Sequence, residues 1–317
     1  MQDWRVKSLD RPAPSELRVH CQYFSQLGWA LFAQMLSMLT VQVVVSALVG
    51  LLAPALLSDP IFLWTLSVVS AYGVGFPAFC LMIRRVDARF SELGRPLGPA
   101  RFFQVYLIVL ALMYLTNMAT LAFTALIGLL RGETVVNPVE QMESYPVALT
   151  TLLGCVIAPI TEELMFRRLL LNRLRPYGEK FAVVASALCF GLFHGNLNQV
   201  FYAFAIGLVF AYVALRTGRL WQVMLLHAMV NSISVLILPL LEPLGTAGEN
   251  LLSLLVFMAI VVGIVFLVAL RREVRFAPSP SPLSAGWTWR VFFENPGMAC
   301  FCVLFVALCV IYLLPQG

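Results

Sequence analysis

The sequence has little charge. Of its 317 residues, 12% are charged and 61% hydrophobic, and its mean hydropathy is +0.89. Soluble domains are roughly 45–50% apolar and 25% charged, so water is not the main solvent of this chain. It has no paired-cysteine signature either. None of its seven cysteines stands in zinc-ribbon or redox CxxC spacing. Six of them, Cys80, Cys155, Cys189, Cys300, Cys302 and Cys309, fall within apolar segments as small hydrophobes. No HExxH helix is present, which removes the usual signature of soluble zinc proteases. A cleavable signal peptide is not indicated, because the first apolar run lasts from about Leu27 to Leu57, beyond the roughly 7–15-residue core of such a leader.

What the chain has is apolar length. Runs near 27–57, 61–83, 102–130, 147–171, 180–197, 199–215, 220–240, 250–270 and 291–314 are candidates to cross a hydrocarbon layer of ~30 Å at 1.5 Å per helical residue. The fold class expected is all-α, a polytopic transmembrane bundle of about nine spans, with eight as the alternative count. If the amino terminus is cytoplasmic, nine spans place all but Arg131 of the 21 Lys and Arg on one side, in segments 5–18, 84–101, 167–180, 216–219 and 271–290. That asymmetry is the positive-inside pattern, and it puts the carboxyl terminus outside. The net charge of +5 is then a matter of membrane orientation and lipid contact, not of nucleic-acid binding.

Composition divides the chain further. Residues 1–24 form a cytoplasmic segment, 25–145 accessory spans, 146–240 the helices that carry chemistry, and 241–275 a further span. Residues 276–290 contain the run APSPSPLSAG, a flexible or polyproline-like connector, and 291–317 add a last accessory span. Trp287 and Trp289 suit interfacial anchors.

Charged groups inside a span cost at least ~2.5–3.5 kcal/mol each at its centre. The fourth span nevertheless carries Glu162 and Glu163 side by side. On a helix Glu163 and Arg167 are i,i+4 partners in the favourable order, while Glu162 points about 100° away. Two of the three histidines, His194 and His227, also lie inside apolar runs. Taken singly, each group has a plain reading: interfacial carboxylates and packed histidines. Their company points to a site.

Glu162 and His194 each stand 16 residues from Gly178, in the Arg175-Pro176-Tyr177-Gly178 turn. In an antiparallel hairpin they reach similar depth, roughly 20 Å from the turn. His227 and Asn231 share one face of the seventh span.

Glu162-Glu163-x-x-x-Arg167, Phe190-x-x-x-His194 and His227-x-x-x-Asn231 resemble, in order and spacing, the three motifs of the CPBP family of intramembrane proteases, which includes the CAAX prenyl endopeptidases of the Ras-converting type. The resemblance covers Pro159 to roughly Pro239. It implies that Glu162 activates a water with help from His194, that His227 and Asn231 donate to the oxyanion, and that Glu163 with Arg167 orients the site. Phe190 positions His194. No cofactor is required by this mechanism, although Glu162, His194 and His227 could also supply three ligands to Zn²⁺.

The expected partners are a membrane-associated peptide or protein substrate, cut near its carboxyl terminus, the lipid bilayer, and accessory membrane proteins. In a bacterial host the location is the inner membrane, and peptide maturation or removal of sorting tails replaces prenylated substrates. Two other readings use the same residues. One is a proton-coupled transporter, since intramembrane acids and histidines also mark proton pathways; it calls for repeated halves and broken helices in matching positions, and the sequence shows neither, although Pro159 and Gly191 could interrupt helices. The other is a catalytically silent scaffold.

Overall fold

The computed structural model describes residues 12–88, 94–132 and 145–313; among these it contains helices and turns and no strand. Eight helices are long and apolar enough to cross a bilayer: α1 (Pro14–Leu52), α2 (Pro60–Ile83), α3 (Pro99–Arg131), α4 (Val147–Tyr177), α6 (Leu197–Thr217), α7 (Leu220–Leu244), α8 (Thr246–Glu273) and α10 (Pro296–Leu313). Two shorter ones, α5 (Glu179–Phe193) and α9 (Ala285–Phe293), lie between them. The chain is a multi-pass integral membrane protein. Its exterior agrees: Leu51, Leu52, Leu129 and Leu130 are at least 80% exposed, while Glu163 and Arg167 are buried, the reverse of a soluble protein's distribution.

Local chemistry sets the helix starts. Pro14, Pro60, Pro99 and Pro296 open their helices, where a missing N–H leaves no bond unmade. The Asp59 carboxylate accepts from the backbone N–H groups of Ile61 and Phe62 at 2.7 and 3.1 Å, capping α2.

The predicted fifth span is the 15-residue α5, about 22 Å long, which is short of the ~30 Å hydrocarbon core. The predicted span extends past His194 to residue 197, but the chain turns at His194: Gly195 has φ +67° and the Asn196 side chain caps α6 by accepting from Gln199 N at 2.9 Å. The predicted last span also starts late. Asn295 closes α9 by donating to the carbonyls of Val291 and Phe292, and its Oδ1 opens α10 by accepting from Met298 N. The Pro/Ser-rich connector packs on the bundle, with Ser279 donating to the Tyr177 carbonyl at 3.0 Å and Leu283 buried. Trp289 likewise packs inward, 4.7 Å from the Phe181 ring centroid. Cys189 and Cys309 are buried, and the other five cysteines are partly exposed.

Contacts between helices sort the two ends of the bundle. Arg216 pairs with Glu179 at 2.7 Å and Arg101 with Glu273 at 2.8 Å. Arg173 donates to the Val86 carbonyl at 2.8 Å and Arg219 to the Gly94 carbonyl at 3.2 Å. These bonds gather the basic segments at one end; Arg5, Lys7, Arg11 and Arg89 lie outside the described residues. Arg131 is at the other end, where it donates to the Leu313 carbonyl. The Arg216–Glu179 pair also closes α5 and α6 into a hairpin whose tip is His194–Asn196. Finally α1 and α10 touch through Gly28 and Gly297, where a Cβ on either would run into the other helix's backbone, a close contact that only small residues permit.

Candidate active site

Four widened, π-helical turns interrupt the spans that meet at the polar cluster: Val69–Gly75 in α2, Leu153–Ile157 and Leu164–Leu170 in α4, and Ile233–Ile237 in α7. Three have the same cause. Pro77, Pro159 and Pro239 each stand two residues after such a turn, and a proline ring inside a helix collides with the carbonyl four residues back while offering no N–H. Widening the turn moves that carbonyl aside. It also orphans the acceptor five residues back, which for Pro159 is Gly154. Asn231 fills that vacancy, its Nδ2 donating to the Gly154 carbonyl at 2.8 Å. The fourth turn has no proline; its carbonyls take side-chain donors instead, Ser186 to Phe166 at 2.9 Å and Asn172 to Arg168 at 2.7 Å.

At the centre, Glu163 is fully buried and accepts from two sides. His227 Nδ1 lies 2.9 Å from its Oε1, and Arg167 Nε lies 3.1 Å from its Oε2. The Arg167–Glu163 contact is an ion pair without hydrogen-bond alignment, and the guanidinium makes no hydrogen bond among the described residues. Aromatic faces surround it instead: its central carbon is 4.5 Å from the Phe190 ring centroid, 5.8 Å from that of Phe210 and 5.9 Å from that of Phe166, the geometry of cation–π contact.

Glu162 is also buried, and its two oxygens have different neighbours. The Tyr72 hydroxyl donates to Oε1 at 3.3 Å, and His227 Nε2 stands 4.0 Å from Oε2. His194 Nδ1 lies 2.8 Å from the Phe190 carbonyl. A carbonyl can only accept, so Nδ1 carries the proton and Nε2 of a neutral ring keeps its lone pair. Glu162, His227 and Arg167 are all within electrostatic reach of that ring. Phe190 packs edge-on against both imidazoles, at 5.0 Å from His194 and 5.9 Å from His227.

The structure thus brings Glu162, Glu163, Arg167, Phe190, His194 and His227 into one cluster. Asn231 sits one turn beyond His227 with one amide proton engaged by Gly154. Tyr72 is a neighbour that motif reading missed; the available signal was the one tyrosine in the apolar run of α2. Tyr202 is another. Its hydroxyl accepts from Gln199 at 2.9 Å and is within electrostatic reach of Glu162.

Comparison with known proteins agrees with the motifs. Residues 144–233 match the family model described as type II CAAX prenyl endopeptidase Rce1-like. A curated relative from Bacillus subtilis, named "Putative membrane peptidase YdiL", is 32% identical over 108 residues, which cover 33% of this chain and 42% of that protein. The chain therefore matches less than half of that relative's length. No solved structure matches it. All three motifs fall inside the matched segment, and that segment is similar to the Rce1-like, type II CAAX prenyl endopeptidases.

Proposed function

We propose that this protein is an intramembrane endopeptidase that hydrolyses a peptide bond of a membrane-associated peptide or protein near its carboxyl terminus. The observation that supports this best is a buried carboxylate, Glu162, 4.0 Å from the His227 imidazole and within electrostatic reach of that of His194. Glu162 acts as general base on a water, and the bare Nε2 of His194 accepts that water's second hydrogen bond. After attack, Glu162 returns the proton to the leaving amine.

The tetrahedral oxyanion needs donors. His227 gives Nδ1–H to Glu163, so it can donate from Nε2 as well only in its cationic form. Glu163 accepts from that ring at Oε1 and pairs with Arg167 at Oε2. Asn231 has a second amide proton free of the Gly154 bond, and this is the second donor.

Glu162, His194 and His227 carry donor atoms suited to Zn²⁺. Among the described residues, however, no three His, Cys, Asp or Glu side chains are spaced to hold one metal ion, and the steps above use the side chains alone. Reconstituted protein given membrane-anchored peptides in ¹⁸O-labelled water should release products whose new carboxyl terminus carries the label, with cleavage insensitive to chelators. Stoichiometric zinc that is lost together with activity would contradict the metal-free step, and the absence of any cleavage that depends on Glu162 would contradict the peptidase reading.

The Pro159–Gly154–Asn231 arrangement makes its own prediction. Pro159→Ala restores an N–H that competes with Asn231 for the Gly154 carbonyl. Turnover should fall about ten- to hundredfold, the cost of a misplaced donor, while the thermal midpoint holds or rises because a helical bond is gained. Unchanged turnover would remove Asn231 from the oxyanion site.

The positive-inside pattern makes the basic end cytoplasmic and the α10 end external. The partners that follow are the bilayer, a substrate within it, and accessory membrane proteins that could dock on α1 and α10.

A further inference from the structure

We infer that Tyr72 is a positioning residue for Glu162, so that helices outside the matched segment 144–233 complete the site. The inference rests on the peptidase reading above. Glu162 stands on α4, within a motif that hydropathy and spacing already mark. Tyr72 comes from α2, which no motif covers, and its hydroxyl reaches Glu162 Oε1 at 3.3 Å. A hydrogen bond at one oxygen favours one orientation of the carboxylate. Oε2 is then the oxygen held towards His227, 4.0 Å from its Nε2, and it is the one available to take a proton from water.

The backbone around Tyr72 is anchored on both sides, which makes this a built feature. Pro77 widens the turn Val69–Gly75 that carries Tyr72. Gln34 of α1 is 1% exposed, and its Nε2 donates to the carbonyl of Ala71, the residue before Tyr72, at 3.0 Å. Gln42, two turns further along α1, donates to the hydroxyl of Ser70 at 3.1 Å. Gly75 gives Gln34 the room to do this, because a Cβ there would stand 2.9 Å from Gln34 Nε2. Two polar side chains of α1 are therefore spent on orienting one short turn of α2, and the outward product of that turn is a hydroxyl on Glu162. The first helix acts on catalysis through this relay without touching substrate.

Tyr72→Phe keeps the ring and removes only the donor. A hydrogen bond to a charged group is strong enough that its loss should lower kcat about ten- to hundredfold. KM and the thermal midpoint should stay at wild-type values, since the ring packing is untouched. Gln34→Leu should lower kcat in the same direction by a smaller factor. The experiment measures kcat, KM and thermal midpoint for wild type, Tyr72→Phe, Gln34→Leu and Glu162→Gln in the same proteoliposomes, per mole of folded protein. Wild-type kcat in Tyr72→Phe, beside a dead Glu162→Gln, overturns the positioning role and leaves the peptidase reading intact. A kcat loss matched by a fall in the thermal midpoint assigns Tyr72 to packing and also overturns it. Wild-type protein without any Glu162-dependent cleavage overturns both.

Discussion

Glu162→Gln should abolish peptide cleavage while leaving the protein folded. Glutamine keeps the shape of the side chain and can still accept from Tyr72, so the contact at 3.3 Å survives; the carboxylate that takes the proton does not. Removing a general base typically lowers turnover by about 10²–10⁴-fold, and the loss should appear in kcat with little change in KM. Among the described residues the shortest ion-pair contact of Glu162 is 4.0 Å, to His227. Size-exclusion profile and thermal midpoint of the variant should match wild type. His194→Ala should lose turnover as well, since the Nε2 that holds the water is gone.

Arg167→Met should have the opposite character, with its main effect on folding. Arg167 and Glu163 are both fully buried and 3.1 Å apart. Removing one member of such a pair strands the other charge in an apolar bundle, which costs about 3–5 kcal/mol, a large part of the stability of any domain. The single variant should express poorly or unfold at markedly lower temperature. Replacing the pair by neutral groups of similar size is often tolerated, so Glu163→Gln combined with Arg167→Met should recover most of the lost stability. Activity should not return, because His227 would have lost the Glu163 carboxylate that accepts from its Nδ1 and orients its ring. Recovery of both together would show that Glu163 serves only to balance Arg167, and a single variant as stable as wild type would show that the pair contributes nothing to the fold.

Much of the architecture was legible because the membrane imposes it. Eight apolar runs correspond to eight helices of sufficient length, and the basic segments gather at one end. The exceptions have local causes. Hydropathy reads straight through His194-Gly195-Asn196, where a left-handed glycine and an asparagine cap turn the chain, so a 15-residue helix passes for a span. It also merges the last residues of α9 with α10, because Asn295-Pro296 is too brief a polar break to register.

Within the site, the i,i+4 spacing of Glu163 and Arg167 foretells their ion pair, and the motif order foretells which spans converge. Spacing cannot show that Asn231 meets the Gly154 carbonyl, because that contact depends on a widened turn. Yet the cause of the turn, a proline in mid-span, was present in the sequence at Pro77, Pro159 and Pro239. Tyr72 lay further from view. Its role depends on how α2 packs against α4, and nothing in its neighbours Ser70, Ala71 and Gly73 reports that packing.

The central claim is that Glu162 makes this chain a peptide hydrolase in the membrane. The most direct test compares new protein termini in membranes of cells that express wild type or Glu162→Gln at equal abundance in a host that carries the substrate. The account predicts a set of termini, near the carboxyl ends of membrane-associated peptides or proteins, that is present with wild type and missing with the variant. Identical sets of termini in the two membranes would contradict it.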